Sequence, residues 1–133
     1  MFRSAIVLAG IAQLGIAASS LLIPRLLGWR EETSRLKPLT RQVFWTYASY
    51  ILGFHVAFGL LSVLAPAALL DGSTLARTVC AFIAVYWLVR LTLQFVAFDR
   101  SVAGDRLLFR FAEAAYVSAF AYLVLVYGAT AVR

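Results

Sequence analysis

Residues 84–95 read AVYWLVRLTLQF, and Arg90 is the one charge in that stretch. Tyr86, Arg90 and Gln94 recur at four-residue steps, so on a helix they make a single polar stripe. Two other groups have the chemistry to join them: Glu113, the one acid inside a long apolar run, and His55, the one histidine of the chain. An arginine and a glutamate in apolar surroundings can close on each other as an ion pair that fixes helix register. They can instead hold an anionic or amphipathic ligand or, with the histidine, act on a lipid. A histidine in mid-helix can also relay protons or ligate haem, although a second axial histidine would have to come from another chain. Its plainer role is a hydrogen bond to Gln13 or to a tyrosine on a neighbouring helix.

The rest of the chain narrows this chemistry. GxSxG, a glycine-rich phosphate loop, HExxH and a pair of carboxylates within the apolar runs are all missing from the sequence. One histidine and one glutamate within the spans cannot supply three or four metal ligands, and a single cysteine excludes a thiolate cage. Cys80, flanked by "RTV" and "AFI", reads as a small core residue. No metal and no resident cofactor are expected, haem at His55 being the one alternative, and an enzyme is not the favoured reading.

The elements that must position these groups follow from composition. Of 133 residues, 63% are hydrophobic and 14% charged, and the mean hydropathy is +0.89. A soluble domain of this size could not bury so many apolar side chains, whereas lipid accepts them on the outer surface of a bundle. Four runs reach the roughly 20 apolar residues needed to cross a bilayer, approximately 4–23, 43–65, 77–98 and 109–130. Strand alternation is lacking, and only helices or closed barrels satisfy the backbone in lipid. The fold class expected is therefore all-α: an integral membrane, antiparallel four-helix bundle with up-down topology, forming a single transmembrane domain over residues 1–133. The basic "MFR" start and the small residues of "GIAASS" resemble a signal peptide, but this segment is expected to remain as the first span.

Orientation follows from the cations. Arg25, Arg30, Arg35, Lys37 and Arg41 lie in the first loop and Arg100, Arg106 and Arg110 in the third, against Arg3, Arg77 and Arg133 on the other side. The positive-inside rule puts both basic loops in the cytoplasm and both termini outside, as in a multi-pass protein of a bacterial inner (plasma) membrane. The net charge of +6 is then concentrated where anionic headgroups attract cations, which accounts for it without nucleic acid. The five cations of the first loop are the candidate lipid contacts, with Trp29 as an interface anchor. That loop is expected to be solvated, a short surface helix with Glu31 and Arg35 paired being the alternative.

At the other side, Asp71-Gly72 reads as a turn and Ser73 as a helix N-cap, making a tight hairpin of the second and third spans. Asp105 is the candidate N-cap of the fourth. Small residues at Ala5, Ala9 and Ala17, with Gln13 set among them at the same four-residue steps, and at Ala112, Ala115 and Ala119, mark close packing faces.

A rise of about 1.5 Å per residue sets the depth of each polar group. Most fall in the cytoplasmic half, with Arg90, Tyr50 and Tyr116 near one level, about 12 Å deep. An arginine at a helix centre costs about 2.5–3.5 kcal/mol on insertion scales, so it calls for a partner or a purpose. Glu113 is the expected partner. A pocket, if the layer leaves one, would draw on Arg90, Glu113, Tyr47, Tyr50, Tyr86, Tyr116, Gln94, His55 and Gln13, although Gln13 is expected first as an interhelical hydrogen-bond donor. The activity that best fits is a structural or accessory membrane subunit, alone, as a homo-oligomer or in a larger complex. The alternative is a binder or carrier of a small amphipathic or anionic molecule.

Overall fold

The computed structural model describes residues 2–96 and 107–133, apart from the side chains of Leu108 and Phe109. In chain order the helices are α1 (Phe2–Ser20), α2 (Ile23–Leu26), α3 (Trp29–Ser34), α4 (Pro38–Leu64), α5 (Pro66–Leu70), α6 (Thr74–Val96) and α7 (Leu107–Val132). The described residues include no strand. Four helical stretches are long and apolar enough to cross a membrane: Phe2–Leu26, which carries α1 into α2, then α4, α6 and most of α7. The third expected span was to end at Phe98; that residue, Arg100, Asp105 and Arg106 lie outside the described residues.

Prolines and glycines cut the chain where the backbone requires it. Pro24 has no N–H with which to continue α1, whose last turn closes on itself as the hydroxyls of Ser19 and Ser20 donate to the Ile16 carbonyl at 2.9 and 2.7 Å. Gly28, at φ 65°, reverses the chain between α2 and α3 in a conformation that side chains other than glycine's resist. Pro66 opens α5, and Ala65 before it leaves helical geometry at φ −136°, ψ 53°. At the tight turn into α6, Ser73 Oγ accepts the Ala76 N–H at 3.1 Å, and the Asp71 carboxylate accepts the Ser73 N–H at 2.8 Å. Ser73 is thus the N-cap its position suggests. The same N–H, aided by the Ser73 hydroxyl, holds the Asp71 carboxyl below its usual range.

The first loop departs from the solvated segment expected. It folds as α2 and α3, and α4 starts at Pro38, five residues before the apolar run. Aromatic docking is the reason: the Trp29 ring meets Phe44 at 5.1 Å and Trp45 at 6.2 Å, both edge to face. Trp45 Nε1 then donates to Thr33 Oγ1 at 3.2 Å, which ties α3 to the first turns of α4. Glu31 and Arg35 pair at 3.8 Å on the exposed side of α3. That contact contributes only a few tenths of a kcal/mol, so the indoles do most of the anchoring.

The long helices meet at glycines and aromatics. Gly10 of α1 and Gly59 of α4 touch so closely that a Cβ at Gly10 would lie 2.8 Å from the Gly59 carbonyl oxygen, and one at Gly59 would lie 2.7 Å from Leu14. α6 and α7 stack Trp87 on Phe120, with centroids 5.2 Å apart. At one end, Arg77 Nη2 donates to the Arg133 carbonyl at 2.6 Å, and the Arg133 guanidinium lies 4.9 Å over the Phe2 ring. The core includes Ile6, Ala9, Ile16, Leu69, Cys80, Ile83, Trp87, Phe120, Leu123 and Tyr127. Cys80 is a small core residue in it, fully buried.

Of the two small-residue faces, that of α1 holds: Ala9, Gln13 and Ala17 are buried. That of α7 does not. Ala112 and Ala115 are exposed, Ala119 is half-buried against the core, and the helix turns the larger Phe120, Leu123, Tyr127 and Thr130 inward. Outward-facing leucines are abundant, with Leu75 75% and Leu125 71% exposed to the surroundings.

Candidate functional site

Gln13 is the hub of the interior. It stands on the buried face of α1 and is fully enclosed, as are Trp87, Tyr127 and Ser62 around it. Trp87 Nε1 donates to Gln13 Oε1 at 3.0 Å, and Gln13 Nε2 donates to the Tyr127 hydroxyl at 2.5 Å. The Tyr127 hydroxyl is in turn paired with Ser62 Oγ. One side-chain amide therefore ties α1 to α6 and α7 directly and to α4 through the tyrosine. Each polar side-chain atom of this hub has a partner, and a network in that condition ties the helices together. The interhelical role expected for Gln13 is the one it plays.

His55 lies beside this hub. It is buried on α4, with its ring 4.8 Å from that of Trp87 and Nε2 bonded to the Tyr86 hydroxyl at 2.8 Å. Of the plain partners considered for it, the tyrosine is the one present. Its Nδ1 is buried and has no hydrogen-bond partner. The tautomer with its proton on Nε2 leaves a bare lone pair at that atom, which costs less than an orphan N–H.

Arg90 sits one turn further along α6. Its Nη1 donates to Gln94 Oε1 at 3.1 Å, and its guanidinium covers the Phe120 ring at 4.9 Å. The whole Tyr86, Arg90, Gln94 stripe is half-buried, so it borders the packed face of α6, whose fully buried residues are Cys80, Ile83 and Trp87. A cation over an aromatic face gains about 0.5–2 kcal/mol, more as the pair is desolvated. Tyr116 on α7 is half-buried, and its hydroxyl pairs with Ser19 Oγ at the end of α1. Glu113, one turn before it, is half-buried.

Tyr50 does not gather with these groups. It and Tyr47 point outward from α4, 64% and 63% exposed. Depth along a helix places a residue at a level and leaves its direction around the axis open, which is how Tyr50 came to be expected in the layer. Conversely, Trp87, Tyr127 and the Tyr122 hydroxyl, which donates to the Ala5 carbonyl at 2.9 Å, are structural parts of the interior that are not singled out from the sequence. A signal for Trp87 existed: Cys80, Ile83 and Trp87 repeat at three and four residues, the spacing of one buried helical face.

Among the described residues, no three His, Cys, Asp or Glu side chains gather to hold a metal ion. The cations of the first loop surround α2 and α3, with Arg25, Arg30, Arg35 and Lys37 exposed and Arg41 half-buried. Compared with known protein families, curated proteins and solved structures, the chain matches none of them.

Proposed function

We propose that this chain is a four-span membrane protein that serves as a structural or accessory subunit, its interior closed by hydrogen bonds and its outer surface given to lipid and to neighbouring subunits. The observation that carries this reading is the Gln13 hub, which joins all four long helices and satisfies its own polar atoms. Up-down topology is supported by pairs of contacts: Gly10 with Ser62 but Leu14 with Gly59, and Arg77 with Arg133 but Trp87 with Phe120. In each case a step forward along one helix is a step back along its neighbour. The exposed leucines fit a lipid-facing surface. The basic loops would then lie at the cytoplasmic face of a bacterial inner membrane, with both termini outside, in a single bundle domain.

A second reading is favoured by one atom. The unpartnered Nδ1 of His55 lies in the region of Tyr86, Arg90 and Gln94, where a small amphipathic or anionic molecule entering from the cytoplasmic half could meet it. Glu113 and Tyr116 are the further candidates for its lining. Gentle extraction from native membranes separates the two. The subunit reading expects the chain in a complex with other membrane protein or with copies of itself. A monomer carrying a stoichiometric amphiphile, lost on Arg90→Leu, would replace it with the binder.

A further inference from the structure

An open cleft of about 530 Å³ lies where α3 leans on the start of α4, lined by Arg30, Thr33, Arg41, Gln42, Trp45 and Thr46. Its volume falls within the range of small-ligand sites. Part of its wall is held by hydrogen bonds. Thr33 is buried, donates to the Trp29 carbonyl at 2.7 Å and receives the Trp45 indole N–H at 3.2 Å. The Thr46 hydroxyl is committed to the Gln42 carbonyl at 2.8 Å. The donors that remain are the Arg30 and Arg41 guanidinium groups and the Gln42 side-chain amide.

Neither guanidinium has an acidic partner among the described residues, and none of the six lining residues is an acid. Arg35, one turn after Glu31, takes that carboxylate instead, at 3.8 Å. Two planar forks with no acidic partner among the described residues, beside an amide donor, match a tetrahedral oxyanion, because each fork can bind two of its oxygens at once. The cleft is also flanked by apolar surface. The Trp45 ring in its wall packs on Phe44, which meets Trp29, and Leu39 and Val43 are exposed on the same turns of α4. Phosphate with hydrocarbon attached suits both halves.

We infer that this cleft is a binding site for the phosphate of an anionic phospholipid headgroup, held by Arg30 and Arg41 with Gln42. The inference rests on the membrane reading for its source of ligand, and deepens the general attraction of the first-loop cations to a defined site. It distinguishes Arg30 and Arg41 from Arg25, Arg35 and Lys37, which are equally basic and lie outside the cleft.

The test uses the purified full chain in neutral detergent, so its outcome does not depend on bilayer insertion. Dioctanoyl phosphatidic acid, dioctanoyl phosphatidylcholine and inorganic phosphate are titrated while tryptophan emission is followed, Trp45 forming part of the wall. Phosphatidic acid is expected to bind saturably, and Arg30→Gln and Arg41→Gln are each expected to weaken it about tenfold. Arg25→Gln and Arg35→Gln should stay within about twofold, the change screening alone would give. Circular dichroism of each variant confirms that its helices are retained. Equal weakening by Arg25→Gln would overturn the site in favour of diffuse attraction. Displacement of the lipid by inorganic phosphate at equal concentration would overturn the lipid assignment and make the cleft a site for the free ion. Binding of phosphatidylcholine as tight as that of phosphatidic acid would contradict recognition by charge.

Discussion

Gly10→Val is expected to force α1 away from α4 and to lower the stability of the folded protein by about 1–3 kcal/mol, the range typical of overpacking. The first added carbon already meets the Gly59 carbonyl oxygen, Ser62 Cβ and Val63 Cγ2, each at 2.8 Å, and the first of these is backbone and cannot swing aside. The branch adds two methyl groups to the same space. If the helices lie in lipid, as proposed, the penalty is not softened by a hydrophobic drive between them, because hydrocarbon tails are as apolar as the side chains and close packing holds such helices together. Gly15→Val on the same helix is the control: a Cβ there meets nothing within 4 Å, and the change should be nearly neutral. Titration of both variants with a denaturing detergent, followed by circular dichroism, measures the difference. Equal midpoints would mean that α1 and α4 do not pack through these glycines.

Trp87→Ala is expected to be the most damaging single truncation, at about 3–5 kcal/mol. The indole is fully buried, stacks on Phe120 at 5.2 Å, contacts the His55 ring at 4.8 Å and donates to Gln13. Trp87→Phe separates these contributions. It keeps most of the ring contacts and removes the N–H, leaving Gln13 Oε1 without that donor. Interhelical hydrogen bonds in membranes average about 0.6 kcal/mol and reach about 1.7, so the phenylalanine variant should lose about that much. A loss from Trp87→Phe as large as that from Trp87→Ala would show that the hydrogen bond, and not the ring, carries the contact. The same detergent titration reads both.

How much of this was legible beforehand depends on what each residue's neighbours can reveal. The four long apolar helices were plain, because length and composition decide whether a segment can cross hydrocarbon. The Ser73 cap and the tight turn at Gly72 were also plain, since both are local chemistry. The inward face of each helix was not. In a helix apolar all round, hydrophobic periodicity carries little information, and the polar residues become the guide. That guide worked for Gln13 and for the half-buried stripe through Arg90. It failed for Tyr50, whose level matched Arg90 but whose side chain faces outward. Trp87 and Tyr127 are separated from Gln13 by 74 and 114 residues, so no local pattern could have joined them. The docking of α3 on α4 escaped for a similar reason: Trp29 read as an interface anchor, with nothing in its own segment to point to Phe44 and Trp45.

Everything proposed for this chain rests on four crossings with the basic loops on one side, and cysteine accessibility tests that claim most directly. In a Cys80→Ala background, single cysteines replace Ser34 on α3, Thr74 at the start of α6 and Leu60 within α4, all exposed in the folded chain. Intact cells are treated with a membrane-impermeant maleimide, before and after permeabilisation. The account predicts that the position 74 cysteine reacts in intact cells, that the position 34 cysteine reacts only once the membrane is opened, and that the position 60 cysteine stays unreactive in both until detergent strips the lipid. Reaction at positions 34 and 74 alike in intact cells, or at position 60 as fast as at position 74, would contradict it.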